Sequence, residues 1–230
     1  MRPIERGVAP RTYTDYPQAH DDLCAVIGDY CSYCERQIET HLAVEHVQPK
    51  SRKKALRNEW TNFLLGCVNC NSCKGKKAVA LGGFVWPDVD NTARAYFYTS
   101  SGEVAVMPRM RKPNRDRALA TLALVGLDRV PGHADRKKRP SSSDIRWRRR
   151  QEAFDLATRQ LNALAAQDTP IVRQLIVEAA LGRGMFSIWM QVFIADADMR
   201  RRLVAAFRGT APSCFDPATF RAVRRPGGSL

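Results

Sequence analysis

The sequence predicts an α+β protein: a small, strand-containing, cysteine-rich core near the N-terminus followed by a mostly α-helical C-terminal region. Three observations predict it. Two C-x-x-C pairs, Cys31-Ser-Tyr-Cys34 and Cys67-Val-Asn-Cys70, bracket a segment in which Leu42, Val44 and His46 alternate as in a short strand. Ala93–Tyr98 and Glu103–Met107 flank Thr99-Ser100-Ser101-Gly102, a β-hairpin pattern. Beyond Ser143 the apolar residues recur at helical spacing almost to the end.

Taken in order, Asp15 and Pro17 mark a helix start, with Leu23, Val26 and Ile27 leading to a stop at Gly28. The cysteine-rich segment and the hairpin follow. Asn114 is expected to cap a helix with Ala118, Leu122 and Val125 on one face, ending at Gly126. Gly132–Ser143 is basic and rich in proline and serine, the composition of a linker. Trp147, Phe154, Leu161 and Leu164 then mark a helix. Thr169-Pro170 supplies the N-cap and first residue of another, closed by Gly182. Asp198 precedes a helix ending near Gly209, and Asp216-Pro217 opens a last short one. Five segments result: 1–30, a helical piece packing on the core; 31–80, the cysteine-braced core; 81–131, hairpin and helix; 132–143, linker; and 144–230, helical.

The composition is that of a folded protein, 44% hydrophobic and 26% charged. Its charge is less ordinary. Thirty-seven Lys and Arg against 23 Asp and Glu leave a net +14, and so basic a surface points to a polyanionic partner, nucleic acid first. The first ten residues lack the apolar stretch of a signal peptide, and the most apolar window, Phe186–Ala195, is too short to span a membrane. That places the protein in the cytoplasm with no membrane partner, where seven cysteines argue for metal rather than disulfides.

Two C-x-x-C turns can present four thiolates to one tetrahedral Zn²⁺, so Cys31, Cys34, Cys67 and Cys70 are the candidate structural zinc ligands. Cys70-x-x-Cys73 is a second possible pair, which leaves open whether Cys73 replaces Cys67. Four sulfurs leave no open position, so chemistry has to come from the residues between the pairs. There Glu45 precedes His46, and Asn62 and Asn71 follow. Adjacent strand residues normally face opposite ways, but at a distorted strand end a carboxylate and an imidazole can reach one phosphate. An asparagine carbonyl can fix an imidazole tautomer or offer a neutral oxygen to Mg²⁺. Singly, these residues also read as a surface pair, a turn residue and a helix cap.

Together, Cys31-x-x-Cys34, Glu45-His46, Pro49, Asn62, Leu64-Leu65 and Cys67-x-x-Cys70-Asn71-x-x-Lys74-Gly75 resemble the zinc-braced branch of the HNH, or ββα-metal, nucleases. The resemblance implies a ββα-metal core and phosphodiester hydrolysis leaving a 3′-hydroxyl and a 5′-phosphate. It makes His46 the general base and Asn62 the residue that orients it. It makes Glu45, where the family usually has Asp, and Asn71 the ligands of a catalytic Mg²⁺ or Mn²⁺. Lys74 falls where the family's helix faces phosphate, and Lys50, Lys53, Lys54, Lys76 and Lys77 are the further candidate nucleic-acid contacts, with DNA ahead of RNA.

The resemblance extends to the HNH subunit of Septu-type, retron-associated anti-phage systems. It is carried by Met1-Arg-Pro-Ile-Glu-Arg-Gly7, Cys31-Ser-Tyr-Cys34-Glu35, Val44-Glu-His-Val47 and Trp60-Thr-Asn-Phe-Leu-Leu65, and more loosely by Asp88–Thr92, Val125–Arg129, Ser187–Met190 and Cys214–Asp216. This implies an effector acting beside an ATPase partner. The competing readings are a non-catalytic zinc module that binds nucleic acid and a protein-interaction subunit. For the helical region, Phe186–Ala195 reads as core ahead of a partner face. Arg146–Arg150 around Trp147 reads equally as a phosphate contact or a solvated helix face.

Overall fold

The computed structural model describes residues 1–230 and is an α+β fold. Tyr16–Ala19 forms a 3₁₀ turn with Pro17 near its start, leading into α1 (His20–Ile27). Gly28 ends α1 with φ 73°, a conformation that favours glycine. The chain then turns through the first cysteine pair into β1 (Ala43–His46), which pairs antiparallel with β2 (Phe63–Gly66), setting Glu45 opposite Leu64 and His46 opposite Phe63. Helix α2 (Val68–Lys74) follows directly, completing the ββα unit that the resemblance implies. Leu23 and Ile27 of α1 are fully buried, with α1 packed against β1 and β2.

The hairpin forms as β3 (Tyr96–Tyr98) and β4 (Val104–Val106). Its first predicted residues, from Ala93, belong instead to a 3₁₀ turn over Thr92–Arg94, which the Asn91 side chain caps by accepting from Ala93 N at 3.0 Å. Helix α3 (Asn114–Val125) ends at a left-handed Gly126 as expected, but Asn114 does not cap it. It lies within the first turn, and its Oδ1 accepts from Arg117 at 2.9 Å. Residues 132–143 are largely exposed.

Four helices complete the chain: α4 (Arg146–Ala166), α5 (Pro170–Arg183), α6 (Phe186–Val192) and α7 (Ala197–Ala206). Thr169 caps α5 by accepting from Val172 N at 3.2 Å, but the helix passes through Gly182 and stops at Gly184, φ 72°. Asp196, not Asp198, caps α7, accepting from Met199 N at 2.8 Å. Asp216 opens a turn rather than a helix: its carboxylate accepts from Ala218 N, Thr219 N and the Thr219 hydroxyl. Phe186, Ile188, Trp189, Met190 and Phe193 are buried, so this apolar stretch is core. One hydrophobic core runs from Met1 and Ile4 through β2 and the hairpin to α7. No helix is long and apolar enough to cross a membrane.

Helix α4 departs most from its pattern. Its buried face carries Arg146 and Arg150 beside Ala153, Ala157 and Leu164, while Trp147, Phe154 and Leu161 are half-buried. Neither a phosphate contact nor a solvated face describes these two arginines. Arg150 donates to the Gly102 carbonyl at 2.7 Å, tying α4 to the hairpin turn. Arg146 reaches the cysteines described below.

Gly184 gives a direct test of how the two halves join. A Cβ there would collide with the Glu35 carbonyl and meet Gln37 N at 2.7 Å, besides the strain of its positive φ. Gly184→Ala is expected to lower stability by at least about 1–3 kcal/mol, read as a lower denaturant midpoint with unchanged slope.

Candidate active site and metal centre

The zinc knuckles come together as expected. Cys31, Cys34, Cys67 and Cys70 are buried, and their sulfurs all lie within 4.8 Å of one another. The Cys34 and Cys67 sulfurs are 3.7 Å apart. That is close to the edge of a tetrahedron with Zn–S bonds of about 2.3 Å, so the donor set fits a structural zinc. Cys73 stands outside the set, half-buried, with Arg146 Nη2 3.8 Å from its sulfur. Cys67 is therefore the fourth member of the cluster.

Two arginines brace this cluster, and sequence reasoning assigned neither to it. Arg36 Nη2 lies 3.4 Å from the Cys67 sulfur. Arg146 Nη1 lies 3.1 Å from the Cys70 sulfur and donates to the Val125 carbonyl at 2.7 Å, while Nη2 donates to Gly126 O at 2.8 Å and to Asp144 at 2.7 Å. Donors of this kind offset thiolate charge and orient the ligands. For Arg146 the only signal in the sequence was the basic run itself.

Beside the knuckles lies a cleft of about 780 Å³, walled by β1, the start of α1 and the end of α2. Glu45, His46 and Asn71 all line it. Glu45 and His46 share one cleft although they are consecutive, because His46 is the last residue of β1, where strand geometry ends. His46 Nε2 lies 2.8 Å from the Arg57 carbonyl. A carbonyl can only accept, so Nε2 carries the proton and Nδ1 is the basic nitrogen. The ring is held edge-on between Tyr16, centroids 4.9 Å apart, and Phe63, 5.3 Å. Burial pushes its pKa below the usual value; the hydrogen bond to the Arg57 carbonyl opposes that in part, and the cations Lys50, Lys74 and Arg57 add to it.

Asn62 does not bond His46 as expected. Its Oδ1 accepts from Gln48 N at 2.8 Å, and its Nδ2 donates to Gln48 O and Leu56 O at 3.0 and 3.1 Å. It closes the β1–β2 loop from inside, and that loop delivers the Arg57 carbonyl. Its hold on His46 is one step removed.

Lys74 lines the cleft too, but only from its floor, with 1% of its surface exposed. Its Nζ lies 2.7 Å from Glu45 Oε1 and donates to the His46 carbonyl at 2.5 Å. Burial raises the Glu45 pKa, a shift that Lys74 only partly offsets. Glu45 Oε1 receives no well-aligned hydrogen bond. Gly66 makes room here: a Cβ on it would lie 3.0 Å from Glu45 Cβ and 3.7 Å from Asn71 Cβ. A buried carboxylate with spare lone pairs beside a neutral amide suits a hard dication such as Mg²⁺ or Mn²⁺.

Of the remaining lysines, Lys50 and Lys76 line the cleft, Lys50 with its Nζ 3.6 Å above the Tyr16 ring. Lys53, Lys54 and Lys77 are exposed and lie outside the lining. Tyr16, His20 and Asp21 complete the α1 wall. Nothing in the sequence separated them from ordinary helix-start residues.

Residues 31–77 match the HNH endonuclease family model. The match covers the knuckles, β1, β2 and α2, so the cysteine cluster and most of the cleft lie within the segment similar to HNH endonucleases. That similarity supports a nuclease of the HNH type, for which nucleic acid is the substrate class. No curated protein matches the chain.

Two outcomes follow for the HNH domain. Elemental analysis of purified protein should give one zinc per chain, kept in Cys73→Ala and lost in Cys67→Ser together with cooperative unfolding. Lys74→Met should cost about 3–5 kcal/mol in chemical denaturation, because it leaves the Glu45 carboxylate buried without its cation. Glu45→Gln in the same background should recover part of that loss.

Proposed function

We propose that this chain is a metal-dependent HNH endonuclease that hydrolyses phosphodiester bonds, of DNA ahead of RNA. The observation that carries the reading is the convergence of Glu45, His46 and Asn71 on one cleft beside a closed thiolate cluster. A zinc module that only binds has no need of an imidazole whose one nitrogen is tied to a carbonyl while the other stays basic.

In this reading His46 Nδ1 takes the proton of the attacking water, with Nε2–H anchored on Arg57 and the ring clamped by Tyr16 and Phe63. Asn62 is the positioning residue that holds the loop bearing that anchor. Glu45 and Asn71 would hold Mg²⁺ or Mn²⁺, which supplies countercharge to the phosphorane and the leaving oxygen. Lys50 and Lys76 draw the phosphate backbone into the cleft, with Lys53, Lys54 and Lys77 extending the basic surface beside it. Lys74 acts from below, fixing the Glu45 carboxylate. A role as effector of an anti-phage complex with an ATPase partner, in the cytoplasm, rests on the sequence resemblance of the flanking segments.

The test is cleavage of supercoiled plasmid and of total RNA with Mg²⁺ or Mn²⁺, with and without a co-expressed ATPase partner. His46→Ala is expected to lose about 10²–10⁴-fold in rate while retaining its zinc. Equal cutting by both proteins, or none under any condition with binding intact, would sink the reading. The pH profile adds a second check. A lowered imidazole pKa keeps Nδ1 unprotonated further into acid, so the acid limb of the rate should have its midpoint below about 6.5. A limb above that value would contradict the buried-imidazole geometry.

A further inference from the structure

Away from the nuclease cleft, a second cavity of about 420 Å³ opens between the hairpin, α6, the start of α7 and the segment from Phe215 to Ala222. Its walls are apolar and aromatic: Tyr96, Met107, Phe186, Met190 and Phe215. The polar groups of α6 on its wall are already committed. Gln191 bonds both the N–H and the carbonyl of Tyr98, at 2.9 and 2.7 Å, and the Ser187 hydroxyl meets the N-terminal ammonium at 3.1 Å.

What remains are two arginines, Arg200 and Arg221, both lining the cavity. Arg200 is 3% exposed. Its Nη1 donates to the Thr219 carbonyl at 3.3 Å, and its Nε is buried without a partner. Its neighbours on α7 are paired, Arg201 and Arg202 both with Asp198, and Arg173 of α5 meets Asp168, Asp196 and Asp198. No carboxylate serves Arg200. Asp216, on the adjacent turn, turns its Oδ1 to Ala218 N and to the Thr219 N–H and hydroxyl, and forms no ion pair with Arg200. Burial, and after it the positive charge of Arg221, lowers the Arg200 pKa to about 10. Burying a guanidinium beside a second one is unfavourable unless an anion joins them.

We propose that this cavity is a binding site for a small organic anion, a phosphate or carboxylate head held by Arg200 and Arg221 on an aromatic or apolar body lodged against Tyr96, Phe186 and Phe215. The volume lies in the range of small-molecule pockets, about 300–1,000 Å³, and the lining has their usual character: mostly apolar with a few convergent polar groups. Guanidinium pairs suit planar or tetrahedral oxyanions through paired N–H donors. Because α6 also bonds the zinc knuckle, through Ser187 N to Glu35 Oε2 at 2.7 Å, a ligand here sits one helix away from the metal cluster. The binding reading does not depend on nuclease activity.

Calorimetric titration of the full chain tests it. The probes are nucleoside monophosphates and aromatic or medium-chain carboxylates, with inorganic phosphate and a neutral nucleoside as head-only and body-only controls. At least one composite anion should bind with a defined stoichiometry, at least tenfold tighter than either control. Arg221→Gln, at an exposed position, should weaken it tenfold or more, and Arg200→Gln further if it folds. Lys50→Ala, in the nuclease cleft, should leave it unchanged. The proposal fails if no composite anion binds, if phosphate alone binds as tightly, or if Arg221→Gln is silent. It also fails if the affinity follows Lys50→Ala, which would put the ligand in the nuclease cleft.

Discussion

Four sulfurs gathered into one buried cluster are the constraint on which the rest of this fold depends. Four thiolates around one dication leave two net negative charges inside the protein, a state that burial opposes unless donors surround it. Arg36 and Arg146 are those donors, and they come from opposite ends of the chain's logic. Arg36 follows the first knuckle directly. Arg146 opens α4, beyond the exposed segment 132–143, and clasps the end of α3 on its way to the Cys70 sulfur. The cluster therefore fixes α3 and α4 as well as the ββα unit. A basic helix start that would ordinarily be solvated becomes core because the thiolates need it.

The same cluster positions the chemistry. Helix α2 begins at the cysteine pair and ends at Lys74, with Asn71 between them, so a helix anchored at the cysteine cluster carries one wall of the cleft. The opposite wall depends on where β1 stops. Had the strand continued one residue, alternation would turn His46 away from Glu45. The turn after His46, held by Asn62 inside the loop, lets both side chains face one volume. Lys74 beneath them keeps Glu45 oriented, so the floor of the cleft is an ion pair rather than an apolar surface.

Much of this was legible from residue spacing. The knuckles, β1, the hairpin, α1 and the stop at Gly126 follow from local rules: ligand spacing, period-two alternation, Pro near a helix start, Gly in left-handed conformations. The errors are also local and have physical causes. Gly182 looked like a helix end, but α5 ran on to Gly184 because the strained, close-packed position beside Glu35 lies two residues later. Asp198 was expected to precede its helix, but it lies inside the first turn, where it gathers arginines, and Asp196 is the cap. Competing caps a residue or two apart differ by little energy, and tertiary contacts choose between them.

By itself the sequence determined which residues have the chemistry: four metal-seeking thiols, a carboxylate and an imidazole side by side, two amides, and a large excess of positive charge. Those are properties of side-chain type and short-range spacing. Only the tertiary structure decided what each one faces. It buried Lys74 against Glu45, gave the anchoring of His46 to a backbone carbonyl, and turned Arg146 into a brace for the thiolates. It also left Arg200 without an anion while pairing its neighbours. A partner for a charge is set by which segments pack together, and contacts between residues dozens of positions apart leave no local trace in the chain.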